Sequence, residues 1–117
     1  MINYHNKVFA TVSNSNNGAV ETGMLFYYQQ KGQIVTCTYA GNTIQAGHLI
    51  AHVDAHGQLD MRYHQIHIDG TIMAGTCISK PEILPDGRIR LNEKWKWTSG
   101  DYSEGESILE EKKITST

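Results

Sequence analysis

The sequence predicts an all-β domain, a single antiparallel up-and-down β-barrel of about eight strands, and three observations lead there. Turn-forming pairs recur at regular intervals along the chain. The segments between them are short and rich in β-branched and aromatic residues. The clearest of these segments alternates apolar and charged residues. At 117 residues the chain fits one domain, 1–117, because domains usually run to about 100 to 200 residues and a chain of this size buries roughly two-thirds of its surface.

The turn signals are Asn17-Gly18, Lys31-Gly32, Gly41-Asn42, His56-Gly57, Asp69-Gly70, Asp86-Gly87 and Ser99-Gly100-Asp101. Asn-Gly and Asp-Gly supply the positive φ angles that tight hairpins need. Between the turns lie Val8–Val12, Met24–Gln29, Ile34–Tyr39, Ile44–Val53, Leu59–Ile68, Thr71–Ile78, Ile89–Thr98 and Ser107–Lys112. The charged tail "SILEEKKI" could form a helical turn, but a closing strand fits the spacing better. Segments joined by such short turns pair antiparallel as a meander. Eight of them close most naturally into a barrel, because closure removes exposed edges; a two-sheet sandwich is the alternative. "KPEILPDG", residues 80–87, holds both prolines. Since proline cannot donate to a ladder, this stretch reads as a longer loop between the sixth and seventh strands that caps one mouth.

Ten Lys and Arg against twelve Asp and Glu give a formal charge of −2, so no overall basic field draws in nucleic acid or an anionic membrane. The first residues lack the apolar stretch of a secretory signal, and no run of about 18 apolar residues occurs anywhere. The expectation is a cytoplasmic protein in which Cys37 and Cys77 are free thiols.

Side chains alternate across a strand, and counting by two assigns faces. In the fifth segment Leu59, Met61, Tyr63, Gln65 and His67 share the more apolar face, which is expected to line the interior. Asp60, Arg62, His64 and Ile66 share the other. In the seventh, Ile89, Leu91, Glu93, Trp95 and Trp97 stand opposite Arg88, Arg90, Asn92, Lys94 and Lys96. Glu93 therefore sits between apolar neighbours on an inward face, where an unpaired carboxylate is costly. It must find a partner, hold its proton or meet a ligand. Inward carboxyls also serve only to fix register, and Trp residues also serve only as core, so both readings stay open. A one-residue error of register would exchange the roles of Tyr63 and of Arg62 with His64.

Other chemistries find little support. His64 and His67 face opposite ways, and His48 and His52 on a strand stand about 13 Å apart, beyond the reach of one ion, so no metal is expected. No G-x-S-x-G elbow, P-loop or G-x-G-x-x-G run occurs. The basic stripe of Arg88, Arg90, Lys94 and Lys96 points away from the aromatics of its own strand, so base stacking and phosphate contact would not coincide.

At "DMRYHQI", "GTIMAGTC", "PEILPDGRIRLNEKWKWTSGD" and "SEGES" the chain resembles a family of small bacterial proteins of about this length. The resemblance covers nearly the whole chain and is most specific at "EKWKWTSGD", residues 93–101. Members of that family often carry the label N-acetylglutamate synthase, which implies acetyl transfer from coenzyme A. Such acetyltransferases hold the coenzyme pyrophosphate on an Arg/Gln-x-x-Gly-x-Gly/Ala loop that opens a helix. The chain has neither, so acetyl transfer and a coenzyme are not expected. The strand pattern is similar in architecture to lipocalin, fatty-acid-binding and avidin barrels, without the Gly-x-Trp opening of lipocalins.

The leading expectation is a barrel that binds one small, partly polar molecule and uses no cofactor. Met61, Tyr63, Trp95 and Trp97 would form apolar walls and Gln65 and Glu93 would orient the ligand, with Arg62 or His64 at the mouth or opposite face. One alternative is an isomerase or hydrolase on the same scaffold with Glu93 or His64 as general base. Another is a module that pairs with a protein or with itself through an outer patch at Ile66 and Ile68.

Overall fold

A computed structural model describes residues 2–14, 23–41 and 43–112. Eight strands follow one another: β1 Lys7–Asn14, β2 Leu25–Lys31, β3 Ile34–Tyr39, β4 Ile44–Val53, β5 Leu59–His67, β6 Ile72–Ile83, β7 Ile89–Trp97 and β8 Glu104–Glu111. Each pairs antiparallel with the next, and β1 pairs with β8, closing the barrel. The expected all-β barrel is therefore the observed one, and the sandwich is excluded. The expected turns at Asn17-Gly18 and Asn42 lie outside the described residues, as does the end of "SILEEKKI".

The turns do what their sequences require. Gly87, at φ 90°, lets the chain reverse between β6 and β7 within Leu84–Gly87, where Gly87 N–H donates to Leu84 C=O at 2.9 Å. This corrects the expected long loop at residues 80–87, because β6 runs straight through Lys80 and Pro81 to Ile83. The reason is register. Ala74 and Leu84 lie on the β7-facing hydrogen-bond pattern, with Ala74 C=O accepting from Thr98 N–H and Leu84 N–H donating to Arg88 C=O. Odd-numbered β6 residues therefore turn their nitrogens toward β5, which ends opposite Ser79. The donor that Pro81 lacks would have had no partner there.

Two register shifts shape the closed wall. One falls between Thr11 and Ser13 on the β1–β8 seam, and the other between Ile44 and Ala46 against β5. The second explains why Ile44 and Leu49 are both buried although five residues apart: the irregularity at Gln45–Ala46 reverses the alternation.

The two ends of the barrel are built differently. The floor carries the β2–β3, β4–β5 and β6–β7 turns, and it is filled by Phe9, Tyr28, Val35, Leu59, Leu91 and Leu109, each at most 1 % exposed. The segment before β1 plugs it from below. Tyr4 is fully buried, its ring 6.0 Å from Tyr28 and 6.2 Å from Phe9. Its hydroxyl donates to Gly57 C=O at 2.5 Å, and its amide donates to Gln30 Oε1 at 2.9 Å. Asn6 turns the chain into β1 at φ 58°, a conformation that Asn tolerates better than most residues. The other end carries the β5–β6 and β7–β8 connections and is where the interior opens into a cavity.

Candidate functional site

A cavity of about 60 Å³ occupies that second end. Each water-sized group needs roughly 10–15 Å³, so about four such groups fit. Its wall includes Met61, Tyr63, Gln65, Glu93, Trp95 and Trp97, together with Phe26, Tyr28, Tyr39 and Leu49 from the far side. Six of the eight residues singled out from sequence thus come together. The inward register expected for β5 and β7 is the observed one.

Arg62 and His64 are not in this wall. Alternation sends them outside because Met61, Tyr63 and Gln65 occupy the inner face of β5. Arg62, with its side chain 63 % exposed, pairs with Asp60 at 2.8 Å. His64 lies beside His48 on the outer surface, ring centroids 5.4 Å apart. The basic stripe of β7 also faces out, and its partners are acidic: Arg90 donates to Glu110 Oε2 at 2.7 and 2.9 Å, and Lys94 and Lys96 stand across from Glu106 and Glu104. Ile66 and Ile72 oppose one another outside with Ile68 nearby, all exposed. Among the described residues, no three His, Cys, Asp or Glu side chains gather to hold a metal.

The aromatic end of the cavity depends on two glycines. Gly47 and Gly75 sit across from Tyr39 and Tyr63, and the tyrosine rings lie directly over them. A Cβ on Gly47 would come within 2.2 Å of the Tyr39 ring, and one on Gly75 within 2.4 Å of Tyr63. Absence of a side chain lets the rings lie flat along the wall. Tyr63 then meets Trp97 edge-on at 5.3 Å, and Trp97 meets Trp95 at 6.1 Å. Tyr39 donates to Gln65 Oε1 at 3.0 Å, which leaves the Gln65 amide to donate to His67 Nε2 at 2.9 Å. This upper polar chain is satisfied within the protein.

Deeper in the barrel, polar groups gather around one carboxyl. Ser79, Glu93, Ser107 and Asn14 stand side by side on β6, β7, β8 and β1. Ser107 Oγ donates to Glu93 Oε1 at 3.2 Å. Ser79, fully buried on the other flank, lies close enough to favour the ionised carboxylate, yet its Oγ makes no hydrogen bond of good geometry. Tyr28 Oη, in the same wall, is likewise buried with no protein partner. Glu93 takes part in the cavity wall. Loss of water raises its pKa to about 7 from 4.5, and the hydrogen bond from Ser107 with the nearby Ser79 hydroxyl offsets only part of that rise. Burial also pushes the Cys37 and Cys77 thiols far up, so both stay protonated and inert.

The third strand could have revealed Tyr39 from sequence, because Val35, Cys37 and Tyr39 follow the same count by two. Ser107 and Asn14 could not be found that way, since their place beside Glu93 depends on how β7, β8 and β1 are staggered.

Fold and site together define a closed eight-stranded barrel of the calycin type with an aromatic cavity at one end and a carboxyl in its wall. The family model described as avidin-like protein matches residues 2–112, and the chain belongs to that family. No curated protein and no solved structure matches it.

Proposed function

We propose that the protein binds one small, partly polar molecule within the barrel. One observation carries the reading: an aromatic-walled cavity of about 60 Å³ holds in its wall the Glu93 carboxyl and a buried Tyr28 hydroxyl that has no partner in the protein. Buried donors and acceptors are ordinarily paired, so spare capacity beside a cavity is what a ligand would fill. Membership of the avidin-like family supports the same reading, since such barrels hold small ligands such as biotin. Met61, Tyr63, Trp95 and Trp97 would provide walls, and Gln65 and Glu93 would orient the ligand.

A catalytic reading narrows to Glu93, whose pKa near 7 suits a general acid or base, because His64 faces the outside. Acetyl transfer has no support in the site: no helix occurs among the described residues to receive a pyrophosphate.

The test is tryptophan emission, because both tryptophans of the chain line the cavity. Screening biotin first and then a metabolite library should yield a saturable shift that weakens at least tenfold in Trp95→Phe. A library in which no compound moves the emission would overturn the proposal.

A further inference from the structure

The preference of this site can be read from the charges that surround it. Among the described residues, no Lys or Arg side chain lines the cavity, and Glu93 is the acidic side chain in its wall. Gln65 and His67 are engaged with each other at the mouth. An anionic ligand would meet a carboxyl and no cation. A protonated amine would meet the carboxyl, the Tyr28 hydroxyl, which has no partner in the protein, and the rings of Trp95, Trp97 and Tyr63, whose faces attract cations.

We infer that the site selects a short organic cation, a protonated alkylamine or a group of like size and charge, held by the Glu93 carboxylate within the aromatic wall. This rests on the binding reading above and specifies its ligand class. The exchange balances: the cation enters, Glu93 releases its proton to solvent, and the buried site stays neutral overall. The cavity's volume suits such a head group.

The other titratable groups facing Glu93 do not compete in the neutral range. Tyr4 from below, Tyr28 on β2, Cys37 and Tyr39 on β3, Tyr63 on β5 and Cys77 on β6 are all shifted upward by burial and remain uncharged. His67 stands at the mouth beside Gln65, so the part of the pH dependence that is lost in Glu93→Gln is the part that reports on Glu93. With a carboxyl titrating at about 7 in the free protein, affinity for a permanently protonated amine should rise about tenfold from pH 6 to pH 8.

The experiment uses three probes of equal chain length, n-propylamine, 1-propanol and propionate, titrated into the whole protein at pH 6 and pH 8. Binding is read from the two indole N–H signals in a ¹⁵N–¹H correlation spectrum. The expected result is that propylamine binds tightest, gains about tenfold between the two pH values, and falls to the level of propanol in Glu93→Gln. In Glu93→Gln, which retains the side-chain shape without the charge, the amine should also lose its gain between pH 6 and pH 8. Equal or tighter binding of propanol or propionate, or an amine affinity indifferent to pH and to Glu93→Gln, would overturn the inference while leaving the cavity reading in place. Silence of both indoles to all three probes would overturn both.

Discussion

The two ends of this barrel are made from the same strands and treat polar groups in opposite ways. At the floor, Tyr4 brings one hydroxyl into an apolar cluster and delivers it to a waiting carbonyl of Gly57. Toward the cavity, Tyr28 brings a hydroxyl inward that finds no partner in the chain. A buried hydrogen bond is worth about 1 kcal/mol net, but an unmet buried group costs roughly 1–3 kcal/mol. The floor is therefore arranged for stability, and the cavity end carries a local cost that the proposed ligand would offset. Stability and binding should respond to different substitutions.

The largest expected break is at the floor. Phe9→Ala removes a fully buried ring packed 4.8 Å from Tyr28 and should lower unfolding free energy by about 3–5 kcal/mol in urea titration. The same titration on Trp95→Phe should show a much smaller loss together with the weakened ligand response.

The second break is by pH. Glu93 has a folded pKa near 7, above its ordinary 4.5, so the folded state holds a proton that the unfolded chain has already released in that range. The associated stability is present in acid and lost as pH rises through about 7, a loss on the order of 3 kcal/mol by the linkage relation. Unfolding free energies measured from pH 5 to pH 8.5 should fall accordingly in the parent protein and much less in Glu93→Gln. A flat profile in the parent would place the Glu93 carboxyl in contact with water.

A smaller effect sharpens the upper wall. Gly47→Ala inserts a methyl into the Tyr39 ring and should cost roughly 1–3 kcal/mol through displacement of that ring. Because Tyr39 also holds Gln65, the near-ultraviolet circular dichroism should change along with the melting temperature. The smallest effect lies outside: Arg90→Ala removes a partly exposed ion pair with Glu110 and should change stability by no more than about 1 kcal/mol.

Much of this architecture could be read from the chain. Alternation in "RIRLNEKWKW" put Glu93 indoors between Leu91 and Trp95, and the same count put Met61, Tyr63 and Gln65 beside it, because each face of a strand follows from local geometry alone. The faces of Arg62 and His64 were equally readable, but their possible place at a mouth was not, since that depends on where strands end. The passage of β6 through Pro81 was hidden because the sequence does not say which neighbour stops short. The Tyr4 plug was hidden as well: nothing in "INYHNK" marks it as core until the barrel supplies a floor with a gap. The row from Ser79 to Asn14 joins residues distant in sequence, and only the stagger of four strands brings them level.

That row has a consequence for remodelling. In the closed order of strands, β3 lies four places from β7 in either direction, so the lining is two-sided: the Glu93 carboxyl with Ser107 on one half, Phe26, Tyr39 and Leu49 on the other. A bound molecule would be gripped along its flank, not by its tip. Varying Phe26 or Leu49 should then reshape the space offered to a guest while leaving its anchoring points fixed. The barrel divides recognition into a constant half and an adjustable half, a division that a designer of new specificities could use directly.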